Sequence, residues 1–313
     1  EGVIDMRSVN DVERDNSSGV NWRIILGDSC EELQKLEPDS VGYSIFSPPF
    51  ASLYTYSDSP RDLGNCKDDK VFYDHFRFIA DGLHRVIQPG RLVSLHCMTL
   101  PTSKAHFGYI GLRDFPGEIT RIMEASGFIY HSQVTIWKDP VTAMQRTKAL
   151  GLLYKQIQKD SSMSRQGIPD ELRTFRKVGE NANRIAHTPN EFPLAEDKVP
   201  EGWDKRFNWQ NFASPVWMDI NPSKTLQARA AREEKDERHI CPLQLEVIER
   251  GIALWSNPGD TILSPFAGIG SEGHVAVSMG RKFIGIELKR SYYDQAYKNL
   301  CACENDLLKK SLF

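Results

Sequence analysis

Ser264-Pro265-Phe266-Ala267-Gly268-Ile269-Gly270 follows the apolar residues of a predicted strand, Asp260 to Leu263, and leads into a predicted helix, Ser271 to Met279. A second predicted strand, Phe283 to Glu287, comes directly after that helix. A strand, a helix and a strand in this order form a right-handed crossover between two parallel strands. The stretch therefore predicts an α/β fold built on a parallel sheet.

The same alternation of strands and helices occupies the first half of the chain. Short apolar runs bounded by turn residues predict strands, and apolar residues at helical spacing predict helices. The further predicted strands are Arg23–Leu26, Val41–Phe46, Arg91–His96 and Phe128–Trp137, and the further predicted helices are Cys30–Leu36, Val71–Ile87, Phe115–Ser126, Pro242–Ser256 and one from Ser291. Together they predict a doubly wound, mainly parallel, Rossmann-like sheet, which binds ligands beyond the carboxyl ends of its strands.

This alternation is lost from about Asp139 to Thr225, where the chain is polar and basic and has three tryptophans near its end. We interpret this stretch as an inserted recognition region. The predicted divisions are a loose N-terminal segment over 1–21, the first half of the sheet domain over 22–138, the insertion over 139–225 and the second half of the sheet domain over 226–313.

The composition of the 313 residues is that of an ordinary globular protein with a net charge of −3. No apolar run approaches the roughly 20 residues that cross a membrane, and we expect no secretory signal and no membrane partner. The six cysteines lack the paired spacing of metal ligands. We therefore expect no metal site, and reduced thiols in a cytoplasm-like compartment.

A basic segment interrupts this acidic chain. Between Val141 and Lys177 there are eight Lys and Arg residues, opposed by three acidic ones. A local basic face of this kind suits a polyanionic partner, although a solvated helix face has the same composition. The candidate residues for phosphate contacts are Arg146, Lys148, Lys155 and Arg165.

The glycine-rich stretch suits a nucleoside cofactor. Gly268 and Gly270 let the backbone approach a ligand closely, and the start of the following helix favours negative charge such as a carboxylate. Glu287, at the end of the next predicted strand, is placed to accept hydrogen bonds from both ribose hydroxyls. A G-x-G pattern is often only a tight turn, so the prediction depends on this acidic partner.

S-adenosylmethionine fits this stretch better than a dinucleotide, because Pro265-Phe266 before the glycines is foreign to dinucleotide-binding loops. Asp28, which follows another predicted strand, can reach the adenine amine or the methionine ammonium. Cys241 and Pro242, at the start of a predicted helix, offer a further pocket for the methionine carboxylate.

Ser47-Pro48-Pro49-Phe50 ends the predicted strand Val41–Phe46. The Ser47 hydroxyl and the Pro48 carbonyl are two acceptors for the hydrogens of a flat exocyclic amine, and the prolines fix the backbone that carries them. Phe50 would stack on a base swung out of a duplex. Alone, such a segment is more often an ordinary turn, but its position at a strand end favours a catalytic role.

With these residues the chain resembles the DNA amino-methyltransferases, the N4-cytosine/N6-adenine family, in the permuted order that places the catalytic motif first. The resemblance spans nearly the whole chain and in its general character is similar to phage or prophage enzymes, which implies the cytoplasm of a bacterium or of a phage-infected host. The segments that carry it, in family order, are Gly27-Asp28, Ser47 to Phe50, Arg85 to Gly90, Ile136 to Lys138, Pro215 to Trp217, His239 to Leu243, Pro265 to Gly270 and Ile284 to Glu287.

The resemblance implies S-adenosylmethionine as donor, DNA as acceptor, and a catalytic half followed by a target-recognition region and a cofactor-binding half. The sites it implies are catalytic Ser47, Pro48, Pro49 and Phe50, and cofactor-binding Asp28, Cys241, Pro242, Ser264, Pro265, Phe266, Gly268, Gly270 and Glu287. The chain departs from the family where Ser264 replaces the usual Asp before Pro-Phe, so Asp28 or Glu272 is left to bind the methionine ammonium. It also departs at the predicted helix start, which reads His239-Ile240-Cys241-Pro242. The commoner form in the family is His-Pro.

Several alternatives stay open. Family members with Ser before Pro-Pro tend to methylate cytosine N4, and those with Asp at that position tend to methylate adenine N6. Cytosine N4 is therefore the first expectation and adenine N6 the second. Carbon-5 methylation is disfavoured because the chain has no Pro-Cys nucleophile. Enzymes that methylate protein glutamine or RNA usually have the reverse motif order. A catalytically silent DNA-binding relic is the remaining class, and the chain is expected to be a monomer or a homodimer.

Overall fold

The computed structural model describes residues 13–49, 69–102, 104–147, 152–187, 209–226 and 242–311. Its strands, in chain order, are β1 (Asp15–Ser18), β2 (Trp22–Leu26), β3 (Val41–Phe46), β4 (Ile87–Cys97), β5 (Leu100–Pro101), β6 (Leu112–Arg113), β7 (Phe128–Ile136), β8 (Asp170–Lys177), β9 (Val216–Trp217), β10 (Thr261–Ser264) and β11 (Lys282–Glu287). Its helices are α1 (Ser29–Lys35), α2 (Asp69–Val86), α3 (Lys104–Phe107), α4 (Phe115–Ala125), α5 (Pro140–Thr147), α6 (Tyr154–Ile157), α7 (Trp209–Phe212), α8 (Leu245–Trp255), α9 (Ser271–Ser278) and α10 (Arg290–Ser311).

Nine of these strands form one sheet in the order β1-β2-β11-β10-β3-β4-β8-β7-β9. The central five, from β2 to β4, are parallel to one another. Strand β8 runs antiparallel to both of its neighbours, and β1 runs antiparallel to β2. The mainly parallel sheet predicted from the sequence is confirmed.

Helices cover both faces of the sheet, as a doubly wound fold requires. On one face α1, α2 and α4 pack their apolar side chains, such as Leu33, Phe76 and Ile119, against the sheet. On the other face α8, α9 and α10 do the same, with Val247 and Leu300 among the buried side chains. Both faces of the parallel strands are therefore buried, which explains why these strands are near-continuous apolar runs.

Two parts of the sequence prediction are wrong. The N-terminal segment predicted to be loose contains β1, which adds a polar edge strand beside β2. The stretch 139–225, interpreted as an insertion that interrupts the alternation of strands and helices, contributes β8, between β4 and β7, and β9, at the edge of the sheet. The recognition role of that stretch stays a prediction, but part of the stretch belongs to the central sheet.

The carboxyl ends of the parallel strands share one edge of the sheet. The segments after Leu26, Phe46, Ser264 and Glu287 all open onto it, because β2, β3, β10 and β11 are parallel. Strand β8 runs the other way and so begins at this edge, with Asp170. We call it the carboxyl edge. Within the described part of the chain no helix has the length and apolar character to cross a membrane.

Candidate active site

The two segments singled out from the sequence lie side by side at the carboxyl edge. Strands β3 and β10 are paired neighbours, and the Ser44 hydroxyl on β3 donates to the Leu263 carbonyl on β10 at 2.8 Å. At the strand ends, the rings of Phe46 and Phe266 are in contact, with centroids 5.7 Å apart. Ser47 and the Ser264–Gly270 loop therefore start next to each other at the carboxyl edge, although they are distant in the sequence.

The Ser264–Gly270 loop has a backbone that only glycine adopts easily. Gly268 and Gly270 have φ values of 52° and 83°, in the left-handed region. A side-chain carbon on Gly268 would meet no atom within 4 Å among the described residues, whereas one on Gly270 would lie 3.2 Å from Ala296. No described residue therefore blocks the approach of a ligand to the Gly268 backbone.

Glu287 accepts hydrogen bonds from the segments that follow three strands. Its Oε2 accepts from the Gly268 amide at 2.8 Å, and its Oε1 accepts from the Lys289 amide at 2.9 Å. Its carbonyl accepts from the Gly27 amide at 2.9 Å. A carboxylate oxygen can accept more than one hydrogen bond, which makes Glu287 a candidate for binding ligand hydroxyls as well.

Ser264 supplies a buried polar atom at the base of the same loop. It has no exposed surface, and its Oγ has no hydrogen-bond partner among the described residues. A buried hydroxyl without a partner carries a free-energy cost of about 1–3 kcal/mol, which a bound ligand can remove. This site residue departs from the family pattern, yet it lies where the prediction put it.

The two candidate carboxylates for the methionine ammonium differ in their surroundings. Asp28 is half-buried and caps α1, with its Oδ1 accepting from the Cys30 amide at 2.9 Å. Glu272 is buried in the first turn of α9, and burial, with a smaller contribution from the charge of Glu287, raises its pKa to about 8. At neutral pH the Glu272 carboxyl is therefore mostly protonated in the ligand-free protein.

Two residues that support this loop were missed in the sequence analysis. The Ser29 hydroxyl, in the first turn of α1, donates to the Pro265 carbonyl. The Asn299 amide, on α10, donates to the Ile269 carbonyl at 2.8 Å. Neither residue stands in a recognisable motif, because each contact depends on how a helix packs rather than on local sequence.

The Ser47-Pro48-Pro49 segment leaves β3 at the carboxyl edge, with Ser47 and Pro49 half-buried and Pro48 buried. The Ser47 Oγ lies 3.2 Å from the His96 carbonyl oxygen and 3.4 Å from His96 Nδ1. Phe50, the fourth predicted catalytic residue, lies outside the described residues.

His96 begins a chain of polar contacts that the sequence did not reveal. Its Nε2 is 3.1 Å from Asp170 Oδ2 at the start of β8, and the Lys138 ammonium pairs with the other carboxylate oxygen, Oδ1. His96 and Asp170 are both buried. The only sequence signal was the place of His96 at the end of a predicted strand. Asp170 gave none, because β8 was not predicted.

Pro242 is not at the start of a helix, which corrects the sequence prediction. Helix α8 begins at Leu245, with Gln244 as its N-cap residue, and Leu243 is buried. Gln244 has extended backbone, with φ −61° and ψ 131°, so the helical conformation starts only after it. Cys241, the other residue predicted there, lies outside the described residues.

The predicted phosphate-binding residues fall in the sequence between β7 and β8, and β7 ends and β8 begins at the carboxyl edge. Lys155 is exposed on α6, and Arg165 is half-buried, with a pKa lowered by burial. Arg146 belongs to α5, but its side chain is outside the described part of the structure, as is all of Lys148.

A protein-family model described as DNA methylase matches residues 44–298. The Type II methyltransferase M.BglII of Bacillus subtilis is 35% identical over 280 residues, which cover 89% of this chain and 68% of M.BglII. The DNA adenine methyltransferase YhdJ of Escherichia coli K12 is 26% identical over 277 residues, which cover 88% of this chain and 82% of YhdJ.

Among solved structures, a putative DNA modification methylase from Thermus thermophilus, TTHA0409, is similar in fold. It was solved in complex with S-adenosyl-L-methionine. Its TM-score to this chain is 0.62 at 20% identity, and the match covers 91% of this chain and 96% of that one.

Proposed function

The chain belongs to the DNA methylase family, and from that premise we propose that it transfers a methyl group from S-adenosylmethionine to the N4 amine of cytosine in DNA. The family methylates amines of either cytosine or adenine, and adenine N6 is the alternative here, since YhdJ carries the name of an adenine methyltransferase. The motif order, with Ser47 ahead of Gly268, supports the permuted arrangement of the family.

One observation carries this proposal. The amine-binding candidate Ser47 and the cofactor-binding candidate loop after Ser264 lie at the ends of adjacent strands, joined by the Phe46–Phe266 contact. Methyl transfer needs the acceptor nitrogen and the methyl carbon in line and in contact, which requires both binding sites at one edge.

The residues at the carboxyl edge fit S-adenosylmethionine. Within the described part of the chain, no atom fills the space beside Gly268 and none pairs with the Ser264 hydroxyl, which offers a buried hydrogen-bonding group. We propose that Glu287 accepts hydrogen bonds from the ribose hydroxyls. A bound ammonium beside Glu272 would favour the ionised form of that carboxyl, which is mostly protonated without it. When bound, S-adenosylmethionine supplies an electrophilic sulfonium methyl group.

Ser47 and Pro48 act on the amine. A base amine is a poor nucleophile because its lone pair is delocalised into the ring. We propose that the Ser47 Oγ and the Pro48 carbonyl each accept a hydrogen bond from the amine, which draws the nitrogen toward tetrahedral geometry and frees the lone pair for attack. Because both acceptors sit on a backbone fixed by two prolines, they need little reorganisation during the reaction.

Nucleoside analysis tests the reaction directly. Genomic DNA from a host without its own methyltransferases is incubated with the protein and S-adenosylmethionine, hydrolysed to nucleosides and analysed by mass spectrometry. We expect N4-methylcytosine. N6-methyladenine would support the alternative base, and the absence of any methylated nucleoside would refute the proposed activity.

Replacing Glu287 with alanine tests the cofactor site. Loss of hydrogen bonds to a charged group costs about 1.5–3 kcal/mol, so the Kd for S-adenosylmethionine is expected to rise roughly 10–100-fold in calorimetry. Turnover at saturating cofactor should change far less. Glu287→Gln keeps an acceptor for one backbone amide, so its loss of cofactor affinity should be smaller. Glu249→Ala, at an exposed position on α8, is the control and should lose no cofactor affinity. Equal losses in affinity and turnover would argue against this role for Glu287.

Replacing Lys155 with alanine tests the DNA face. A lysine that contacts one phosphate contributes about one released counterion. In a plot of the logarithm of the DNA association constant against the logarithm of the salt concentration, the slope should therefore fall in magnitude by about 1. Lys309→Ala is the matched control, because Lys309 is an exposed lysine on α10, which packs at the opposite end of the sheet. If both variants keep the wild-type slope, Lys155 does not contact DNA.

A further inference from the structure

The Ser47 hydroxyl differs from the carboxylate found in other members of the family, because a hydroxyl can donate as well as accept. Only its acceptor function helps an amine. If the hydroxyl proton pointed toward the base, it would oppose the amine hydrogens. What surrounds the hydroxyl on the protein side therefore decides how well Ser47 works.

Two atoms of His96 flank this hydroxyl. The His96 carbonyl oxygen is 3.2 Å from Ser47 Oγ, and Nδ1 of the same residue is 3.4 Å away. A carbonyl oxygen can only accept. The character of Nδ1 depends on which ring nitrogen carries the proton, and the partner of the other nitrogen determines this.

Asp170 is that partner. Its Oδ2 is 3.1 Å from His96 Nε2, and the Lys138 ammonium holds its Oδ1. Burial raises the pKa of Asp170, but its contacts with His96 and Lys138 bring that pKa below its ordinary value. In a neutral His96 ring, a carboxylate 3.1 Å from Nε2 favours the tautomer that carries its proton on Nε2, and this tautomer has Nδ1 as an acceptor.

We propose that the His96–Asp170 pair orients the Ser47 hydroxyl so that Ser47 presents only acceptor lone pairs to the target base. The pair is a positioning device that acts through Ser47, and the proposal rests on the proposed methyltransferase function. With its proton held toward His96, Ser47 gains the hydrogen-bonding character of a carboxylate without the charge.

This arrangement also selects a class of base. Cytosine and adenine present an amine with two hydrogens at the position where thymine and guanine present a carbonyl oxygen. If the Ser47 Oγ can only accept hydrogen bonds, it has no proton to donate to the carbonyl oxygen of thymine or guanine. Neither of these two oxygen atoms would then have a hydrogen bond. The geometry thus favours amino bases over keto bases.

Paired substitutions at His96 and Ser47 test the proposal. His96→Ala removes Nδ1, whereas the side-chain oxygen of His96→Asn can take the place of Nδ1 while the contact with Asp170 is lost. In single-turnover assays with tritiated S-adenosylmethionine and methyl-free genomic DNA, we expect His96→Ala to lower the rate about 10-fold, as for loss of one hydrogen bond. His96→Asn should recover most of that loss. A merely structural role for the pair predicts equal losses in the two variants.

The Ser47→Asp background provides the second measurement. A carboxylate accepts in every orientation, so adding His96→Ala to Ser47→Asp should lower the rate less than about 3-fold. The same loss in both backgrounds, or equal losses for His96→Asn and His96→Ala, would overturn the proposal. If Ser47→Asp is itself inactive, the comparison of the Asn and Ala variants decides alone. A wild-type protein that methylates no DNA would instead refute the proposed function.

Discussion

Ser47→Ala is expected to lower the methylation rate constant about 100–1,000-fold, the loss typical of removing one preorganised hydrogen-bonding group from a reacting centre. The alanine leaves the amine with one acceptor, the Pro48 carbonyl, so its nitrogen stays conjugated with the ring. Affinity for S-adenosylmethionine should change little, because the proposed cofactor contacts belong to Glu287 and the Ser264–Gly270 loop. Rapid-quench assays give the rate constant, and calorimetry gives the affinity.

Ser44→Ala is the matched control for this variant. Ser44 lies three residues earlier on β3, fully buried, and its hydroxyl donates to the Leu263 carbonyl rather than facing the carboxyl edge. Its loss should lower the melting temperature and leave the rate constant within about twofold, since one net hydrogen bond is worth about 1 kcal/mol of stability. A Ser47→Ala protein that folds normally and methylates at the wild-type rate would remove Ser47 from the mechanism.

The central strands were predictable because burial on both faces leaves a strong pattern in the sequence. Strand β3, Val41–Phe46, is buried at every position, and its predicted bounds are those observed. The Ser264–Gly270 loop was predictable for a related reason, because left-handed backbone at Gly268 and Gly270 restricts these positions to glycine. Apolar runs and glycine turns are local properties, and local properties can be read from one sequence.

Strand β8 was not predictable, because tertiary contacts make its polar residues compatible with the sheet. On one face, Thr174 closes a chain of buried hydroxyls with Ser94 and Tyr43, at 2.8 and 2.7 Å. Elsewhere on the strand, Arg173 pairs with Glu171 at 2.7 Å. The sequence shows only a charged stretch, and a charged stretch resembles a surface loop when its partners are unknown.

The same limit applies to the active site. The prediction placed Ser47 and Gly268 at one edge because parallel strands share their carboxyl ends. It could not supply His96 and Asp170 as a pair, because their contact depends on β8 running antiparallel to β4. The residues that would bind substrate were therefore accessible from sequence motifs, whereas those that orient them were not.

Asp260→Ala is expected to destabilise the fold by about 3–5 kcal/mol, the cost of leaving one partner of a buried ion pair without its counter-charge. Arg91, on β4, is fully buried, and its guanidinium passes beside Gly42 of β3 to pair with Asp260, just before β10. Its Nε donates to the Gly42 carbonyl at 2.7 Å. The Asn257 amide also donates to Asp260, at 2.7 Å, and loses its acceptor in the variant.

Chemical denaturation of three variants separates the charge effect from a general loss of contacts. Glu118→Ala breaks the exposed Arg121–Glu118 pair and should change the free energy of unfolding by less than about 1 kcal/mol. Arg91→Met combined with Asp260→Ala should be more stable than Asp260→Ala alone, because no buried charge is left without a partner. A double variant less stable than Asp260→Ala would mean that Arg91 stabilises the fold through its contacts with the Gly42 and Asn183 carbonyls rather than through the ion pair. Since domains of this kind are stable by about 5–15 kcal/mol, Asp260→Ala alone can bring the protein close to unfolding at ordinary temperature.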